Sequence, residues 1–150
     1  MALTRFSGPI RSKHGFEYDS NLKIEPMHIA KVRATRAQVN ADHVVLPGIS
    51  GKKIKMHDYT LMAIGGNAET ATSIKLTSKQ GGSDVDLTTV LVAALTRGTA
   101  VKPNSANTTL LADGAAFNAL DEGEGITIEN VGSALATATH VDATIFYTVE

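Results

Sequence analysis

Hydrophobic and polar positions alternate along most of this chain with a period of two, the mark of strands buried on one face. From Ile29 onward Ala30, Val32 and Ala34 alternate with Lys31, Arg33 and Thr35. Ala41–Leu46 is a second strand candidate, closed by Pro47-Gly48, and Lys52–Ile64 a third and longer one. Ser73–Ser78 follows, with Gln80-Gly81-Gly82-Ser83 as a turn. Further on, Thr108–Ala112, Ile126–Asn130 and Thr139–Val149 read as strands, and Asp113-Gly114 signals a tight turn. In the last run Val141, Ala143, Ile145, Tyr147 and Val149 share one face, opposite Asp142, Thr144, Phe146 and Thr148.

One stretch departs from this rhythm. Leu87, Val90, Leu91, Ala94 and Leu95 recur at helical spacing, Asp84 or Asp86 stands where an N-cap belongs, and Arg97-Gly98 supplies a stop. The spacing predicts a helix over Leu87–Leu95, although Thr88, Thr89, Val90 and Val92 favour strands. Seven or eight strands, one short helix and glycine turns predict an all-β chain: an antiparallel β-sandwich of jelly-roll type. With four Phe, three Tyr and no Trp, its core must be built mainly of Val, Ile, Leu and Ala.

The segment 44–77 holds the densest strand-like run, and its end is echoed later. Thr70-Ala71-Thr72-Ser73-Ile74-Lys75-Leu76-Thr77 resembles Thr137-Ala138-Thr139-His140-Val141-Asp142-Ala143-Thr144, and glycine precedes both, as Gly65-Gly66 and as Gly132. The echo suggests one strand–loop–strand unit used twice.

Residues 1–28 lack such a pattern. Arg5, Arg11, Lys13, His14, Lys23 and His28 are interspersed with Phe6, Ile10, Phe16, Tyr18, Leu22, Ile24 and Met27, and Gly8-Pro9, Gly15 and Pro26 break periodicity. The division is therefore an extended N-terminal arm over 1–28 and a β-sandwich domain over 29–150. Such an arm needs a surface to lie on, either its own domain or a neighbour.

Composition narrows the function. At 150 residues the chain is long enough for one domain with a real core. Without cysteine there are no disulfides, thiolate metal sites or cysteine nucleophiles. No apolar run is long enough to span a membrane, and the N-terminus lacks a signal-peptide core. Synthesis in a cytoplasm, with no membrane partner, is the expectation. The net charge of −1 conceals an asymmetry. Residues 1–56 carry ten Lys/Arg against four acids, and 57–150 carry four against eleven. Either the charges mix on folding or the basic part meets a partner, another copy included.

Candidate chemistry is sparse. His14, His28, His43, His57 and His140 show no metal-ligand spacing, so no metal and no cofactor is expected. His57-Asp58 is the one histidine followed directly by an acid, and in a regular strand the two point to opposite faces. Asp121-Glu122-Gly123-Glu124-Gly125 lacks calcium-loop spacing and reads as a solvated acidic turn. Gly48-Ile49-Ser50-Gly51-Lys52-Lys53 matches neither a phosphate loop nor a nucleophile elbow. Lys31, Arg33, Arg36, Lys52, Lys53 and Lys55 form a candidate basic patch, but with only Tyr59 nearby to stack on bases, nucleic acid is not the expected partner. No catalytic residue is nominated, and the chain is not read as an enzyme.

A resemblance supplies a direction. Thr4-Arg5-Phe6-Ser7-Gly8-Pro9-Ile10-Arg11-Ser12 with Gly15-Phe16 resembles the start of small virion proteins of tailed bacteriophages. The segment from Val45-Leu46-Pro47-Gly48 to Tyr59-Thr60-Leu61, and the close from Gly125-Ile126-Thr127-Ile128 to Phe146-Tyr147-Thr148, resemble head decoration (cement, or capsid auxiliary) proteins. The resemblance implies a compact β-domain, commonly a homotrimer, on the virion surface, where it bridges capsomers of the major capsid protein. Phe6, Pro9, Ile10, Phe16 and Tyr18 are then the candidate partner-binding residues, facing the shell or another copy. The competing readings are a tail-fibre or adhesin-like β-domain that binds a receptor or glycan, and a sandwich enzyme, which needs convergent His, Asp and Glu groups.

Overall fold

A computed structural model describes residues 16–19, 22–24, 26–110 and 117–150. Eleven strands and one short helix follow in order: β1 (Phe16–Asp19), β2 (Leu22–Ile24), β3 (His28–Thr35), α1 (Arg36–Val39), β4 (His43–Leu46), β5 (Ile54–Ile64), β6 (Ala71–Gln80), β7 (Ser83–Leu91), β8 (Ala100–Val101), β9 (Thr108–Leu110), β10 (Ile126–Gly132) and β11 (His140–Val149). Two antiparallel sheets, β4-β10-β6-β7-β9 and β3-β11-β5-β8, enclose the core. Pairing is nested: β3 with β11, β4 with β10, β5 with β8, and β6 with β7. The all-β prediction holds.

Alternation does the sorting. Val141, Ala143 and Ile145 of β11 are buried between the sheets, as are Ile126 and Ile128 of β10 and Tyr59, Leu61 and Ala63 of β5. Each large apolar side chain buried this way contributes roughly 1.5–3 kcal/mol. The two buried polar residues among those described, Ser73 and Thr88, leave no side-chain donor or acceptor unpartnered.

The predicted helix over Leu87–Leu95 is a correction. Most of it is strand β7, and a short turn follows with Ala94 N–H donating to Leu91 C=O (2.9 Å) and Leu95 N–H to Val92 C=O (3.0 Å). The register between β6 and β7 shifts between Leu76 and Thr77, so Leu87 and Thr88 are both buried and the inward phase resumes at Val90. A bulge adds one residue to a period of two, which yields the spacing of three that imitates a helical turn. Leu91, on the supposed helix face, is exposed. The helix that does form, α1, carries a capping box: Gln38 N–H donates to Thr35 Oγ1 (3.2 Å) and Thr35 N–H to Gln38 Oε1 (2.8 Å). Thr35-Arg36-Ala37-Gln38 is the sequence signature of that box.

The echo between 70–77 and 137–144 is a structural repeat. A shift of 67 positions takes Gly65 to Gly132, Thr72 to Thr139, Leu61 to Ile128 and Ala71 to Ala138. It also exchanges the cross-strand pair Leu61↔Ala143 for Ile128↔Leu76, and Ile64↔His140 for Val131↔Ser73, all of which are observed. The units β5–loop–β6 and β10–loop–β11 therefore pair with each other about a local pseudo-two-fold. Their loops touch: Glu69 accepts a hydrogen bond from Thr137 Oγ1 (3.0 Å), and Thr70 Oγ1 donates to the Ala134 carbonyl. Thr70 itself sits at φ +74, a left-handed conformation that β-branched residues rarely adopt.

Candidate functional site

Of the predicted partner-binding residues, Phe6, Pro9 and Ile10 lie outside the described residues. Phe16 and Tyr18 lie on the backbone of β1, which pairs antiparallel with β2, Phe16 opposite Ile24. The main contacts of this hairpin are between its own two strands. The described part of the arm is thus doubled back rather than simply extended. A two-stranded hairpin alone in water is marginally stable.

The candidate basic residues are spread along the four-stranded sheet and the segments at its two ends. Strand β11 lies between β3 and β5, and β5 runs roughly 35 Å from Lys55 at one end to the α1 end of the sheet. Arg33 is neutralised by Asp142 through two hydrogen bonds, Nε to Oδ1 at 2.7 Å and Nη2 to Oδ2 at 2.8 Å, and this pairing holds the Asp142 carboxyl below its usual range. Arg36 donates instead to the Ala136 carbonyl. Tyr59, the stacking candidate, is fully buried, and its hydroxyl meets Thr88 Oγ1 at 2.7 Å. Burial pushes the Tyr59 hydroxyl above the usual phenol range.

His57 and Asp58 correct the expectation of opposite faces. The β5–β11 register shifts between Phe146 and Tyr147, and this bulge leaves both residues exposed. They form no dyad: His57 Nε2 meets Thr148 Oγ1 (2.9 Å), and Asp58 Oδ1 accepts from Tyr59 N–H (2.8 Å). The other described histidines also keep separate company, His28 beside Tyr147, His43 beside Gln38 and His140 beside Thr139.

The acidic turn is a tie. The Asp121 carboxylate accepts hydrogen bonds from Gly81 N–H (2.9 Å) and Gly82 N–H (2.8 Å), clasping the β6–β7 hairpin tip. These backbone donors, with help from Lys53 and Lys79, hold its carboxyl below the usual range. Among the described residues no group of three or more His, Asp or Glu side chains is placed to hold a metal ion.

What the sequence reading missed is a groove of about 510 Å³ on the outer face of the five-stranded sheet. Its exposed apolar part is Val44 and Pro47, since Val85 packs against the core, and its carboxylates are Asp84, Asp86, Glu124 and Glu129. Alternation puts them there: on β10, Ile126 and Ile128 turn inward, so Thr127 and Glu129 turn outward. Lys75 pairs with Asp86, and Lys79 lies 3.7 Å from Glu124. Glu129 has no such ion pair among the described residues, and partial burial together with Asp42, Asp86 and Asp84 raises its carboxyl above the usual range despite Lys75. The face carries a surplus of negative charge beside an apolar lane, suited to an extended, cationic partner. The acidic excess of residues 57–150 was legible as a count, but not as a place.

No protein-family model, curated protein or solved structure matches the chain.

Proposed function

We propose that this chain is a structural virion protein that binds the outside of a phage capsid as a homotrimer and stabilises contacts between capsomers of the major capsid protein. The observation that carries the reading is the division of labour in the fold. The sandwich closes its own core, while the segment before β3 forms a hairpin that pairs mainly with itself. A segment holding Phe6, Ile10, Phe16, Tyr18, Leu22 and Ile24 is costly to leave in water, so a surface on a partner is its natural destination. Burying three or four of those side chains contributes on the order of 5–10 kcal/mol before ordering entropy is subtracted. Three linked copies multiply that into avidity.

The resemblance to head decoration proteins points the same way, and so does the nested strand pairing. A long hairpin wound into two sheets, β3-β11-β5-β8 facing β4-β10-β6-β7 with β9 added at one edge, supports assigning the sandwich to the jelly-roll type. The test is decoration of purified capsids by the full chain and by a form lacking residues 1–20, read by cryo-microscopy, with light scattering for the trimer. Lost occupancy after deletion is expected; full occupancy refutes the arm's role. Binding that is unchanged between low and high salt counts against an electrostatic share.

A further inference from the structure

The groove on the five-stranded sheet has an open side. Among the described strands β4 is an edge strand with β10 as its one sheet partner, and Val44 on it is 50% exposed. Its exposed apolar groups, Val44 and Pro47, sit beside Asp84, Asp86, Glu124 and Glu129, with two lysines to offset them.

The chain itself contains a segment of matching chemistry. Residues 1–15 carry Arg5, Arg11, Lys13 and His14 and not one acid. In an extended segment Phe6 and Ile10 share one side while Arg5, Arg11 and Lys13 share the other. That is an apolar row beside a basic row, the complement of the groove. Position agrees as well. The groove is lined by the end of β6, the start of β10 and the Pro47-Gly48 corner after β4. Lys53 there pairs with Glu150 at the end of β11, where β3 begins with His28 opposite Tyr147. Strand β3 therefore begins, at His28, at the end of the sandwich where the groove opens. The β1–β2 hairpin stands between residues 1–15 and β3, keeping mainly to itself.

We propose that this groove receives the basic N-terminal segment, residues 1–15, of a second copy of the chain. The proposal rests on the self-assembling reading above and names the surface used. Head-to-tail contacts of this kind close into a ring when the rotation permits. The edge of β4, unpaired on one side among the described strands, offers main-chain pairing, and the carboxylates add register and salt dependence.

The chain has no cysteine, so single cysteines report proximity cleanly. Full-length Ile10→Cys and Val44→Cys chains, co-expressed with different affinity tags, are treated with a short bis-maleimide. The expected product is an interchain cross-link between positions 10 and 44. Its yield falls by about tenfold when all chains carry Asp84→Lys and Glu129→Lys, and returns when they also carry Arg5→Glu, Arg11→Glu and Lys13→Glu. The neutral pair Asp84→Asn with Glu129→Gln gives an intermediate yield and serves if charge reversal prevents folding. Absence of the interchain product, or one indifferent to these charges, overturns the proposal. So does a cross-link confined to single chains carrying both cysteines. Capsid binding is read separately: decoration without the cross-link removes this inference alone, and the cross-link without decoration removes the capsid role alone.

Discussion

Replacing Gly65 with alanine tests whether the two loop units are packed as a reciprocal pair. Gly65 lies at φ +81, and its equivalent Gly132 at φ +86. A Cβ at Gly65 meets the Oγ1 and Cγ2 of Thr139, the latter at 2.8 Å; a Cβ at Gly132 meets Thr72 Oγ1 at 2.6 Å. Two costs add in Gly65→Ala: about 1–2 kcal/mol for a left-handed backbone with a Cβ, and about 1–3 kcal/mol for overpacking against a threonine that cannot retreat freely. Thr139 is held because its Oγ1 donates to the Ile64 carbonyl at 3.0 Å. The sum, about 2–5 kcal/mol, is a large share of the roughly 5–15 kcal/mol of a typical domain. Urea unfolding followed by circular dichroism reads it as a lower midpoint at constant slope. The double variant Gly65→Ala with Thr139→Ala removes the two closest contacts, Oγ1 and Cγ2, leaves the position-139 Cβ at 3.0 Å and keeps the backbone cost, so the pair should couple by about 1 kcal/mol or more. Gly132→Ala should cost a similar amount and couple to Thr72 in the same way. A loss below about 0.5 kcal/mol at both glycines, or additive double variants, refutes the reasoning.

Tyr59→Phe leaves Thr88 Oγ1 its 3.2 Å bond to the Thr109 carbonyl, so it should cost only about 0.5–1.5 kcal/mol in the same assay, whereas Tyr59→Ala should cost about 3–5 kcal/mol. Asp121 ionises more readily folded than unfolded, so its stabilisation is present above the unfolded carboxylate pKa and is lost as pH falls through the lowered folded value. Unfolding midpoints of wild type and Asp121→Asn should therefore differ at pH 7 and converge in acid. Glu129 has the opposite sign: its folded pKa is raised, so ionisation costs stability as pH rises through that value. Glu129→Gln should be neutral or stabilising at pH 7 and lose that advantage near pH 4, as thermal melts across pH will show.

Period-two alternation was sufficient to place β3, β10 and β11, because a strand with one buried face writes that face into every second residue, while β-rich runs between glycine and proline turns placed β4, β5 and β6. Glycines marked the β6–β7 turn and both halves of the repeat. The sequence alone also set the charge division and the apolar-basic character of residues 1–15. It misread Leu87–Leu95 because a bulge shifts the inward phase by one residue, and only the partner strand reveals where the extra residue goes. For the same reason His57 and Asp58 came out on one side instead of two. Tertiary structure alone decided that β11 separates the cations of β3 and β5, that Asp142 neutralises Arg33, and that carboxylates from β7, β10 and the 121–125 turn gather beside Val44. A face is a property of one strand and can be read locally. A groove belongs to several strands brought side by side by the winding of the chain, and no local pattern encodes their order.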